Sequence, residues 1–234
     1  MLMKKYLLSL FFCACFLFSS CSKTESQQQI STPKQETAIA TTSSSSEHDI
    51  YAAILNSSLG PITYYNQNDI RWYEHLYGGE DPLSIYGCGP TTLACLVSSF
   101  IDPQMTPDKM ADWATENGFW APKNGSYHTI IPEGLSSFGF QVTSITNPSK
   151  QTILSSLNSN HILVGLMGEG HFTKEGHFIL ILGVTKNGKL HIADVNNYEN
   201  TKKTWNIDTI VKELKITASA GGPLWEVSLP KPTK

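Results

Sequence analysis

The sequence predicts an α+β domain in which helices come first and an antiparallel sheet follows. Three observations carry this. Capped, helix-periodic segments fill residues 88–157, three strand-like runs crowd 161–195, and Asn187-Gly188 stands between two of those runs as a hairpin turn.

With 234 residues the chain holds a leader, a tail and one domain with a core. A formal charge of -3 and a pI near 6.1 leave no basic excess, and no Lys/Arg stripe with interleaved aromatics is present. Nucleic acid is therefore not an expected partner. Of the 5 cysteines, Cys13, Cys15 and Cys21 lie near the start, which leaves Cys88 and Cys95 in the body. On one helix these two stand two turns apart, about 10 Å, beyond disulfide reach. No internal bridge is expected, and Cys95 is assigned to packing on the inner helix face.

Lys4 and Lys5 precede an apolar run from Tyr6 to Phe18, and Ser19, Ser20 and Cys21 follow. That is the pattern of a secretory signal over 1–20, too short for a membrane-spanning helix. Phe18-Ser19-Ser20-Cys21 also resembles the lipobox of bacterial lipoproteins, which implies lipidation of Cys21 and anchoring at the outer face of the cytoplasmic membrane. From 21 to 58 the chain is rich in Ser, Thr and Gln, with Ser43 to Ser46 in a row, and reads as a flexible tether. The working domain spans 59–234.

Within it, Ile62-Thr63-Tyr64-Tyr65 reads as a strand end. A Gly- and Pro-containing loop then delivers Tyr86-Gly87-Cys88-Gly89-Pro90, where a tight turn feeds a helix with Cys88 near its N-cap. Thr106-Pro107-Asp108 starts a second helix, Asn117-Gly118 ends it, and Met110, Trp113 and Ala114 share its inner face. Residues 125–138 form a turn-to-helix region stopped by Gly139, and Asn147-Pro148 opens a helix bearing Ile153, Leu154 and Leu157. Three strands follow, over 161–167, 177–184 and 190–195. The second is apolar throughout, so both of its faces are covered and it is the centre of the sheet. A short helix near Asp208 and a strand through Trp225-Glu226-Val227 complete the domain.

A thiol at the positive end of a helix dipole is biased toward thiolate, which makes Cys88 a candidate nucleophile. Such a nucleophile needs a base. Glu-Gly-His-Phe occurs at 169–172 and again at 175–178, and only the second copy leads into the central strand. His177 is therefore preferred, with His171 as the substitute. The ring needs an orienter, either Asp194 or Asn196. A strict two-residue turn at Asn187-Gly188 sets Asp194 opposite Ile181, about 13 Å along the strand from His177, and sets Asn196 opposite Ile179. A bulge or a longer turn favours Asp194 instead. Gln67 either supplies a side-chain N–H to an oxyanion or caps a turn. Tyr73, Tyr77, Trp120 and Tyr127 are candidates for a cleft wall.

Tyr65-Asn66-Gln67-Asn68-Asp69, Gly87-Cys88-Gly89-Pro90-Thr91-Thr92, Gly125-Ser126, Phe172 to Phe178 and Gly188 to Asp194, in that order, resemble the bacteriocin-processing (double-glycine-leader) peptidase-like branch of papain-like cysteine peptidases. The resemblance covers nearly all of 60–215. It implies a papain-like fold and a triad of Cys88, His177 and Asp194, with Gln67 and the Cys88 N–H forming the oxyanion hole. Where that branch usually has Asn-Asp-Pro, this chain has Ala193-Asp194-Val195, so the aspartate is kept and the proline is not.

The expected function is that of a membrane-anchored, extracytoplasmic cysteine peptidase acting on a peptide or protein. No cofactor is expected, and the oligomeric state is open, a monomer being compatible with the sequence. Two alternatives stand beside it: an amidase or transpeptidase of cell-wall peptides using the same residues, and a binding lipoprotein without turnover. A zinc site built from Cys88, His171, His177 and Asp194 lacks any close-spaced ligand pair.

Overall fold

In the computed structural model, which describes residues 49, 51 and 53–230, the chain enters through β1 (Ala53–Ser57), paired antiparallel with β2 (Gly60–Tyr64). The leader, Cys21 and the tether up to residue 48 lie outside the described residues. The last part of the stretch read as tether is ordered. β1 pairs residue by residue with β2, and the Tyr51 N–H donates to the Asp69 carboxylate at 2.7 Å. Ladder and side-chain bonds outweigh a polar composition that by itself favours disorder.

The loop after β2 carries a small ribbon, β3 (Leu76–Tyr77) with β4 (Asp81–Pro82), and leads through the single turn α1 (Leu83–Tyr86) into α2 (Cys88–Phe100). Gly87 takes the N-cap, so Cys88 is the first helical residue and Pro90 stays within the first turn, where a missing N–H costs nothing. From Gly89 to Ser98 every residue of α2 is buried. It is the central helix of the domain. α3 (Pro107–Glu116) packs on it through Met110, Ala111 and Ala114, and begins at Thr106-Pro107 as the capping pattern predicts.

β5 (Trp120–Ala121) and β6 (Gly125–Ser126) form a second ribbon, followed by a 3-10 turn at His128–Ile130 and α4 (Pro132–Ser137). β7 (Gln141–Ile145) comes next and has no counterpart in the sequence reading. It is an edge strand with Gln141, Thr143 and Ser144 exposed, so it lacks the apolar run that marks the other strands. α5 (Lys150–Asn158) is closed by a capping box between Ser149 and Thr152.

The main sheet then assembles from β8 (Ile162–Met167), β9 (His177–Val184), β10 (Leu190–Asp194), β11 (Thr204–Trp205) and β12 (Leu224–Ser228). Two short helices, α6 (Tyr198–Thr201) and α7 (Ile207–Glu213), lie among them. Strand order is β11-β10-β9-β8-β12-β7, with antiparallel neighbours throughout. β8 and β9 occupy the middle. Phe178, Leu180 and Leu182 of β9 face the core shared with α2, whereas Ile179 and Ile181 face a second core under α5 and α7. An all-apolar strand is therefore covered on both faces, as its composition predicts.

The connection between β9 and β10 is longer than a two-residue turn. Gly188 N–H bonds to the Thr185 carbonyl, Thr185 N–H to the Lys189 carbonyl, and Gly188 adopts φ +73, a left-handed value that favours glycine. The pairing then shifts once more. His191 sits opposite Gly183, but Ile192 sits opposite Ile181, so Leu182 bulges out of the ladder. Its carbonyl accepts from both Ser58 N–H (2.8 Å) and Ser58 Oγ (3.0 Å). Loop and bulge together move Asp194 opposite Ile179, the position a strict turn assigns to Asn196.

Candidate active site

The first turn of α2, the start of β9 and the end of β10 converge on one place. α2 supplies Cys88, β9 begins with His177, and β10 ends with Asp194. His177 is 4% exposed and Asp194 fully buried, while Cys88 is half-buried. His177 Nε2 donates to Asp194 Oδ1 at 2.7 Å. That leaves Nδ1 for the Cys88 thiol, which is hydrogen-bonded to the His177 ring.

Electrostatics follow from this geometry. Burial alone raises the Cys88 thiol. The His177 hydrogen bond and charge, with the N–H groups of Phe178 and Gly89, outweigh it and hold the thiol below its ordinary value. Burial likewise lowers His177, but Asp194 and the Cys88 sulfur win and hold the ring well above the ordinary imidazole range. Asp194 is raised by burial and lowered more strongly by His177, Asn200 and the Asn196 N–H, for a net shift below the usual carboxylate range. These three directions favour a thiolate–imidazolium pair beside an ionised aspartate. Cys95 behaves oppositely. Burial pushes its thiol up to about 12, and its sulfur accepts the Tyr65 N–H at 3.3 Å.

Asp194 is held from every side. Oδ1 also accepts from the N–H groups of Asn196 (3.0 Å) and Asn197 (3.1 Å), and Oδ2 accepts from Asn200 Nδ2 (2.8 Å). Its own N–H donates to Thr201 Oγ1, and its carbonyl accepts from Tyr64 Oη at 2.7 Å. Asn196 is exposed and contacts the aspartate through its backbone, so it does not hold the ring. Tyr64, Asn200 and Thr201 were not singled out from sequence. The Asn-rich stretch after Asp194 was the available signal, because such residues cap turns.

Gln67 arrives through a loop stitched to the end of β10. Its N–H donates to the Val195 carbonyl at 2.7 Å, and Asn68 Nδ2 donates to the Asn196 side chain at 2.8 Å. Gln67 Nε2 donates to the Ser84 carbonyl at 2.7 Å, which fixes the amide and occupies one of its two N–H bonds. The side chain lines a cleft of about 270 Å³ together with Cys88, His177 and Asn196. A larger cleft of about 800 Å³ meets the first at Cys88 and is walled by Tyr86, Ser126, Tyr127 and Phe178. Of the aromatics proposed for a cleft wall, Tyr127 takes that place. Tyr77 is fully buried with its hydroxyl 3.0 Å from Ser126 Oγ.

Of the other histidines among the described residues, His75 pairs with Asp112 and His161 lies near Glu226, whereas His128 lines the larger cleft with its Nδ1 accepting from Ser219. His171, the substitute base, is tied to Glu213, which also separates it from the ligand set considered for zinc.

The model of the family described as Peptidase_C39 like family matches residues 60–219, a span that runs from β2 past α7 and contains Gln67, Cys88, His177 and Asp194. A search of the curated proteins finds no match to this chain. The fold, an N-terminal helical layer on an antiparallel sheet, and the match over most of the chain lead to one conclusion: the chain belongs to the Peptidase_C39 like family, with the papain-like α+β fold and a relationship to the papain-like cysteine peptidases.

Proposed function

We propose that this chain is an exported cysteine peptidase, similar to the bacteriocin-processing branch, held at the outer face of the cytoplasmic membrane by a lipid on Cys21. The observation that carries the chemistry is the Cys88–His177–Asp194 hydrogen-bond chain, in which the thiol is lowered and the imidazole raised. The anchoring rests on the basic leader and on Phe18-Ser19-Ser20-Cys21.

In the proposed reaction the Cys88 thiolate attacks the peptide carbonyl. The oxyanion receives hydrogen bonds from the Cys88 N–H, in the unpaired first turn of α2, and from the second N–H of Gln67 Nε2. His177 Nδ1 gives its proton to the leaving amine as the C–N bond breaks, leaving a thioester on Cys88. The neutral ring then takes a proton from water, whose oxygen attacks the thioester and releases the acid and the thiolate. Asp194 keeps the Nε2 proton in place throughout.

The pH dependence of Cys88 alkylation tests this reading, with His177→Ala compared to the parent. Cys95 is buried and its thiol raised, so it contributes no background near neutrality. The parent thiol is expected to react well below the ordinary thiol pKa of about 8.5, and His177→Ala to lose that advantage. A parent thiol that reacts only near that value, indifferent to the histidine, would leave a binding lipoprotein on this fold. Gln67→Ala is expected to lower turnover about 100- to 1000-fold at unchanged thermal stability, read by initial rates beside a melting curve. Unchanged rates remove Gln67 from the oxyanion hole.

A further inference from the structure

The first copy of Glu-Gly-His-Phe, which the proposed chemistry does not use, lies in the loop 168–176 between β8 and β9. This loop ends at His177, and Phe172 to Gly176 line the 270 Å³ cleft together with Gln67 and Asn196, with Glu175 and Gly176 shared by the larger cleft. The His177 ring opens on this cleft and not on the larger one. A segment leaving with an amine that this ring protonates would pass into it.

The loop is fastened from behind. Glu213, the last residue of α7, has a side chain only 10% exposed, and both of its oxygens are spent on His171. Oε2 accepts the His171 N–H at 2.9 Å and Oε1 the His171 Nδ1–H at 2.5 Å. Gly170 allows the approach, because a Cβ there would stand 2.3 Å from Glu213 Oε2. The Gly168 N–H donates to the Glu213 carbonyl at 2.6 Å, Lys215 Nζ donates to the Glu175 carbonyl at 2.7 Å, and Phe172 packs on Trp205 with ring centroids 4.5 Å apart. A carboxylate is costly to bury unless each oxygen is paired, so removing either partner releases the other. Glu213 lines neither cleft.

We propose that Glu213 and His171 are a positioning pair that holds the 168–176 loop as the wall of a leaving-group subsite, so that the substrates best used are polypeptides continuing past the scissile bond. This rests on the peptidase reading above. The pair sets affinity for the leaving segment and takes no part in proton transfer.

The test uses the mature full chain. Casein digestion first identifies a cleaved bond. Two synthetic substrates are then made: the acyl half as an aminomethylcoumarin amide, and the same half continued by four residues. Glu213→Ala is expected to raise KM for the continued peptide about tenfold, as loss of a charge-assisted hydrogen bond implies, with kcat and the coumarin amide changed less than twofold. His171→Ala, whose side chain is 62% exposed and leaves no internal cavity, should act likewise, and Glu213→Gln should recover most of the loss. Amide hydrogen exchange should quicken over 168–176 in both alanine variants while β8 and β9 keep their protection. Equal losses on both substrates, no change on either, or unaltered exchange overturns the proposal. If the parent leaves casein intact, it is the peptidase reading that fails, and the fastening of the loop stands or falls on the exchange data alone.

Discussion

Cys88→Ala should abolish peptide hydrolysis, with a loss of about 10⁴-fold or more, while the melting temperature stays within a few degrees of the parent. The argument is one of chemistry and space. No other side chain at the junction of the two clefts can form the thioester, because Cys95 is fully buried behind it on α2 and its thiol is raised. The substitution removes one sulfur from a half-buried position at the start of a helix, so little packing is lost. Progress curves on a casein digest, read beside a thermal melt, check both halves. Residual turnover above a hundredth of the parent would sink the assignment of Cys88 as nucleophile.

Asp194→Ala is expected to cost about 10⁴-fold in turnover, the scale seen when the orienting acid of a triad is lost. Four donors then lose their acceptor: His177 Nε2, the N–H groups of Asn196 and Asn197, and Asn200 Nδ2. Asp194→Asn keeps the shape but removes the charge and sets an NH2 among groups that all donate to the carboxylate, so its loss is expected on the same scale of about 10⁴-fold. The sign of the pH effect follows. In the parent the active ion pair exists above the lowered Cys88 pKa and below the raised His177 pKa. Without the Asp194 charge the imidazole falls back toward its ordinary value and supports the thiolate less. The alkaline limb therefore moves to lower pH, the acid limb to higher pH, and the window narrows from both sides. Stability responds as well. Asp194 titrates lower in the fold than unfolded, so its stabilisation is present above the unfolded carboxylate pKa of about 4 and is lost as pH falls through the folded value. The variant lacks that acid-dependent loss. An alkaline limb that stays put in Asp194→Asn would show that this carboxylate does not hold the His177 proton.

Much of this was legible in order along the chain, and the reason is local. Pro90 after Gly87-Cys88, the Thr106-Pro107-Asp108 start and the all-apolar run of 178–182 each act within a turn or a strand, where neighbouring residues decide the outcome. The placement of the thiol at a helix start and of His177 at the mouth of a covered strand came from such patterns. Choosing between Asp194 and Asn196 did not, because register depends on every residue inserted between the paired strands. One extra loop residue ending at Gly188 and one bulged residue at Leu182 together shift the pairing by two positions. The bulge is held by Ser58, 124 residues away in a stretch whose composition reads as tether. Edge strand β7 was likewise invisible, since its polar face meets solvent and its pairing with β12 is a contact across the fold. The same holds for His171. The motif around it is a copy of the one around His177, and although the covered strand that follows the second copy singles out His177, it leaves the place of the first copy open. The carboxylate of Glu213, 42 residues further on, draws one ring to the back of a loop while β9 carries the other to the thiol. Helix starts, the covered strand and the histidine at its mouth are properties of short segments; which residue holds that ring, where the second histidine goes and which register the strands take are sums over distant contacts, fixed when the chain closes on itself.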